Sequence, residues 1–133
     1  MHLLLSTVIV VLALLDMVIG IGFFVNPSTA AGDFGLLPKG PQGTAALRAD
    51  FTAFFLLAAV FMGAGAWKRR ADWLVPPLFL FAVAFTGRAV DAIVNGPWEG
   101  FWLPMAVEMA HIVILGLAIR FWPGAPGRAP QAG

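Results

Sequence analysis

Leu3 to Val25 is an apolar run whose one charged residue is Asp16, and three further stretches, about Thr44–Trp67, Pro76–Val94 and Pro104–Phe121, are nearly as poor in charge. Each is long enough to cross a hydrocarbon core, for which about 20 helical residues suffice. A helix closes its own backbone hydrogen bonds, which no water satisfies inside such a core. The chain therefore reads as an all-α polytopic membrane protein, a four-transmembrane-helix bundle with spans at about 3–25, 44–67, 76–94 and 104–121. Composition agrees: 60% hydrophobic and 11% charged residues, at a mean hydropathy of +0.89, are more than a soluble domain of 133 residues could hide.

The segments between the spans fix their ends and their direction. A cleaved signal peptide is the rival reading of the first span, because Ser28-Thr29-Ala30 resembles a cleavage site. No Lys or Arg precedes the run, however, and it is too long for a signal core and carries a carboxylate. Asn26-Pro27 pairs a capping residue with proline in a first helical position, which predicts a short helix after the first span. The Gly- and Pro-containing stretch 32–43 reads as a loop, with Thr44 as the N-cap of the second span. Lys68-Arg69-Arg70 follows that span, and basic residues are retained on the cytoplasmic side, so both termini are expected there. Pro76 and Pro104 suit helix starts, and Trp98, Phe101 and Trp102 read as outer interface anchors with Trp122 at the inner interface. Residues 1–122 form the transmembrane domain in this reading, and 123–133, rich in Pro, Gly and Ala, form a disordered cytoplasmic tail.

Apart from Arg120 at the inner end of the fourth span, seven ionisable residues lie within the spans: Asp16, Arg48, Asp50, Arg88, Asp91, Glu108 and His111. Counting a rise of about 1.5 Å per residue from the outer ends puts Asp91 and Arg48 about 5 Å deep, Glu108 about 6 Å, Arg88, Asp50 and His111 about 9 to 10 Å, and Asp16 about 13 Å. All seven fall in the outer half. An isolated charge at the bilayer centre costs about 2.5 to 3.5 kcal/mol on insertion scales, so these groups are expected to meet one another. Arg88 and Asp91, in the stretch Phe-Thr-Gly-Arg-Ala-Val-Asp from Phe85, share a helix face, and so do Glu108 and His111. Arg48 and Asp50 diverge by about 200 degrees and cannot point at one spot.

Two arginines against four carboxylates leave an excess negative charge that a low-dielectric site does not keep. A carboxylate is then protonated, His111 is charged, or a cation is bound. Glu108, with His111 one turn deeper on its face, is the carboxylate expected to hold the proton, with Asp16 as rival. Arg88 is expected to neutralise carboxylates from at least two helices. Three roles stay open for the cluster: ion pairs that orient the helices, a ligand pocket, and proton or ion movement.

Several classes of chemistry find no support. Without cysteine there is no disulfide, thiolate metal site or thiol nucleophile. Glu108-Met-Ala-His111 has the Glu-x-x-His spacing of di-iron bundles, but the second motif and further glutamates are missing, so no metal is expected. Only Ser6 and Ser28 are serines, no phosphate-binding glycine loop is present, and no cofactor is expected. A formal net charge of +1 and the lack of a basic run speak against a nucleic-acid partner. Phe51, Phe54, Phe55, Phe79, Phe81 and Phe85 read as bundle filling or lipid-facing, and Gly20, Gly22, Gly63 and Gly65 as sites of close helix approach.

Four motifs together carry a resemblance: Phe24-Val25-Asn26-Pro27 closing the first span, Leu47-Arg48-Ala49-Asp50-Phe51 opening the second, Gly87-Arg88 with Asn95-Gly96-Pro97 ending the third, and Glu108 early in the fourth. In these the chain resembles the domain-of-unknown-function 4345 family, small four-helix proteins of the bacterial inner membrane, over about Leu3 to Phe121. The resemblance implies Arg48, Arg88 and Glu108 as polar positions and implies no activity; Asp16, Asp91 and His111 lie outside its pattern. The function expected is non-enzymatic: binding a small or lipidic, amphipathic ligand, or serving as an accessory subunit of a membrane complex, with membrane lipid and a second copy or partner subunit as neighbours. The alternative is an intramembrane enzyme or proton-coupled transporter that uses Glu108 or Asp16 as its titrating group.

Overall fold

The computed structural model describes residues 2–124, and among these the secondary structure is helical throughout, with no strand. Four helices are long and apolar enough to cross a membrane: His2–Val25, Gly40–Lys68, Ala71–Val94 and Trp102–Phe121. The first is α1 (His2–Val25), followed by the short α2 (Pro27–Asp33). Asn26 caps α2 as its sequence promised: its Oδ1 accepts from the Thr29 N–H at 3.4 Å, and Pro27 fills a first-turn position where no N–H is needed.

The second span departs from expectation at its outer end. It starts at Gly40 with α3 (Gly40–Ala46), passes through a π-helical turn at Leu47–Phe51 and continues as α4 (Thr52–Lys68). Thr44 is therefore not a cap. It sits in the second turn, and its hydroxyl donates to the Gly40 carbonyl at 3.2 Å. Gly40 and Pro41 look like loop residues, but proline needs no hydrogen-bonded N–H in a first turn and its φ is already helical, so the helix can begin there. The π turn accommodates one extra residue, which lets Leu47 and Thr52, five apart, both face inward while Arg48, Ala49 and Asp50 stay outside.

At the other end of α4, Arg69 takes a left-handed conformation (φ 50°, ψ 46°) that closes the helix, and a 3-10 turn at Ala71–Leu74 leads into α5 (Val75–Val94). The last helix, α6 (Trp102–Phe121), begins two residues before Pro104, which lies in its first turn. Trp122 is not an interface anchor: it is fully buried in the core. Pro123 is likewise fixed, its carbonyl accepting from the Ala71 N–H at 2.9 Å. The remainder of the tail expected to be disordered, 125–133, lies outside the described residues.

Helix α1 packs chiefly on α4, and α5 chiefly on α6. The larger core, at the end holding the basic turn, gathers Ile9, Ala58, Met62, Leu74, Leu115 and Trp122. A smaller one at the opposite end gathers Phe23, Ala31, Leu47 and Phe55. Small side chains make the α1–α4 approach close: a Cβ on Gly20 would stand 2.9 Å from Leu56 Cδ2 and 3.2 Å from the Leu56 backbone nitrogen. Gly65 likewise leaves room for Leu74, whereas Gly63 faces open space and Gly22 has only an ordinary contact with Ala30, so only two of the four glycines mark tight approach.

Candidate functional site

The seven candidate ionisable residues, Arg120 aside, divide into two sets. Arg48, Asp50 and Asp91 are exposed, and Arg48 and Asp50 make no ion pair or side-chain hydrogen bond among the described residues. Both lie on the outward side of the π turn, away from the buried Leu47 and Thr52. Asp91 turns to its own helix end, where Asn95 Nδ2 donates to its Oδ1 at 2.6 Å. It shares a face with Arg88 in the sequence but not a partner.

The other four residues, Asp16, Arg88, Glu108 and His111, come together inside the bundle and link α1, α5 and α6. Arg88 Nε donates to Glu108 Oε1 at 2.7 Å, with the arginine side chain 34% exposed and the glutamate 8%. One turn along α6, His111 Nε2 stands 3.4 Å from Asp16 Oδ2, both side chains buried. The imidazole lies against the Phe81 ring, with centroids 3.9 Å apart and planes at 24°, and Phe54 packs edge-on against Phe81. Phe81 and Arg88 are seven residues apart, two turns, so a single face of α5 supplies both the ring that covers His111 and the base that holds Glu108. That spacing was the available signal for Phe81, which composition alone assigned to bundle filling.

Arg88 thus neutralises one carboxylate among the described residues, not two, because Asp16 is engaged by His111. The excess of negative charge is also smaller than the sequence count. Asp50 and Asp91 are outside the cluster, Arg88 balances Glu108, and only Asp16 and His111 are left to balance each other. His111 Nδ1 lies 2.8 Å from the Val107 carbonyl oxygen, and a carbonyl can only accept, so Nδ1 carries a hydrogen. Nε2 then faces Asp16 Oδ2 across 3.4 Å, while Glu108 accepts from the Arg88 guanidinium.

Hydrogen bonding within the cluster is incomplete. Glu108 Oε2 is buried with no hydrogen-bond partner among the described residues, and Asp16 Oδ2 and His111 Nε2, although 3.4 Å apart, do not form a hydrogen bond. Thr52 Oγ1 and Trp122 Nε1 are also buried without a partner, but Trp122 belongs to the core at the other end of the bundle. No family model, curated protein or solved structure matches the chain.

Proposed function

We propose that the chain is a multi-pass protein of a bacterial inner membrane, with both termini on the cytoplasmic side, whose outer-half cluster binds a small amphipathic ligand. Four apolar helices of spanning length support the membrane assignment. The Lys68-Arg69-Arg70 turn supports the orientation. The bacterial assignment and membership of the domain-of-unknown-function 4345 family rest on the motifs around Asn26-Pro27, Arg48, Arg88 and Glu108.

The ligand assignment is carried by Glu108 Oε2, a buried carboxylate oxygen without a partner among the described residues, next to an arginine that is one-third exposed. A carboxylate oxygen desolvated without a donor is expensive, and a ligand that supplies the donor recovers that loss. Arg88 uses Nε on Glu108 and keeps its terminal nitrogens for an acceptor on the same ligand. A polar head with a hydroxyl or amine beside a carbonyl or anionic oxygen fits both, and an apolar tail fits the surrounding helices. Native mass spectrometry of the gently purified protein tests this. We expect an adduct that is retained by the parent and lost in Glu108→Gln; an adduct-free parent, or equal retention in both, refutes it.

The Asp16–His111 pair favours a second reading, proton movement through the cluster, because two buried titratable groups from different helices face each other at 3.4 Å. That reading predicts a proton flux into protein-containing vesicles that Asp16→Asn abolishes. Flux unaltered by the substitution contradicts it.

A further inference from the structure

At the opposite end of the molecule a groove of about 340 Å³ runs between α1 and the end of α4. Val10, Val11 and Trp67 supply its apolar walls, and Ser6, Thr7 and Arg69 its polar atoms. The three basic residues of the adjacent turn are not equivalent. Lys68 Nζ lies 4.0 Å over the Trp73 ring, and Arg70 donates to both oxygens of Asp72 at 3.0 and 2.8 Å. That hydrogen bond and the accompanying attraction raise the Arg70 pKa above its ordinary value. Arg69, the residue that lines the groove, has no partner among the described residues. Its φ of +50° is one at which glycine is the usual occupant of a helix end, so the guanidinium is held there against backbone preference.

We propose that this groove binds an anionic phospholipid of the cytoplasmic leaflet, with its phosphate on Arg69 and an acyl chain along Val10 and Val11. The proposal rests on the reading that the helices span the bilayer with the basic turn inside. An uncompensated guanidinium at the end of an apolar groove matches a phosphate that carries a hydrocarbon chain better than a free anion, which would leave the groove unfilled. Basic pockets between helices on the cytoplasmic side recognise such headgroups. The hydroxyl hydrogens of Ser6 and Thr7 are directed at the Ala66 and Leu3 carbonyls, at 3.5 and 3.0 Å, so their oxygens are available to accept from a headgroup hydroxyl. Phosphatidylglycerol has both features.

Trp67 is 89% exposed in this groove and serves as the reporter. The full-length protein is reconstituted in phosphatidylcholine vesicles containing a small fraction of either brominated phosphatidylglycerol or brominated phosphatidylcholine. The fluorescence quenched in the parent but missing from Trp67→Phe isolates this site. We expect phosphatidylglycerol to be preferred about fivefold, the equivalent of one basic contact at an anionic surface. Arg69→Gly should abolish the preference while keeping the helix end folded, because glycine suits the conformation. Arg69→Lys should keep it in part, and Lys68→Gln should leave it unchanged. Equal quenching by the two lipids overturns the site. So does an equal loss in Lys68→Gln and Arg69→Gly, which would indicate diffuse interfacial charge. Release of the protein from vesicles by alkaline carbonate removes the spanning reading itself and the site with it.

Discussion

Arg88→Ala and Glu108→Gln, alone and together, probe the contact between α5 and α6 that the structure makes most specific. Removing one member of a buried ion pair typically costs about 3 to 5 kcal/mol, because the other is left as an uncompensated charge. The two members here are buried unequally, with the arginine side chain 34% and the glutamate 8% exposed. Arg88→Ala strands the more buried charge, with neither carboxylate oxygen satisfied, and should cost about 3 kcal/mol, the lower end of that range. Glu108→Gln keeps an oxygen for the 2.7 Å contact with Nε and leaves a charge that can reach water, so about 1 kcal/mol is expected. In the double variant no buried charge remains, and we expect a loss of about 2 kcal/mol, which makes the coupling about 2 kcal/mol in magnitude. Unfolding in mixed micelles of increasing sodium dodecyl sulfate content reads all four proteins on one scale. Strict additivity, or an Arg88→Ala protein as stable as the parent, would show that the pair does not bear on the packing of α5 against α6.

Three further outcomes follow from the same geometry. His111→Leu leaves Asp16 buried without its partner and should cost about 3 kcal/mol or more, whereas Asp16→Asn can donate from its amide to Nε2 and should cost less than about 1 kcal/mol; a reversed order in mixed-micelle unfolding contradicts the pairing. Gly20→Val pushes a side chain into Leu56 and should destabilise the α1–α4 packing by about 1 to 3 kcal/mol, while Gly63→Ala, facing open space, should change stability by less than about 0.5 kcal/mol. A reporter fused to the carboxyl terminus should be active only as a cytoplasmic reporter, and a functional periplasmic reporter at that end would invert the proposed orientation.

The number of long apolar helices was legible because apolarity over about 20 residues is a property of the chain alone. The helical cap at Asn26 was legible for a similar reason, since Asn-Pro acts within its own turn. The start of the second span was not. Gly40-Pro41-Gln42-Gly43 has the composition of a loop, and what extends the helix through it is compatibility with a first turn rather than propensity. The charge excess read from the sequence came from counting Asp50 and Asp91 into the cluster, whereas both are exposed. The π turn at Leu47–Phe51 compounds the error, because it shifts the phase on which any face assignment depends. Within one helix, spacing correctly placed Glu108 and His111 together. Between helices it could not say that His111 would face Asp16 on α1, or that Asp91 would turn away to Asn95, since those choices are made by the packing of α1 and α5 against α6.

The most direct test of the buried cluster as a closed, charge-balanced unit is the 15N spectrum of His111 in bilayers. The chain has two histidines, so His2→Gln leaves His111 alone. We expect Nδ1 to be protonated, in keeping with its 2.8 Å contact with the Val107 carbonyl, and Nε2 to respond to Asp16→Asn, across the 3.4 Å gap, while Nδ1 does not. A ring bearing its hydrogen on Nε2 alone, or an Nε2 signal indifferent to Asp16→Asn, would contradict the pairing of His111 with Asp16.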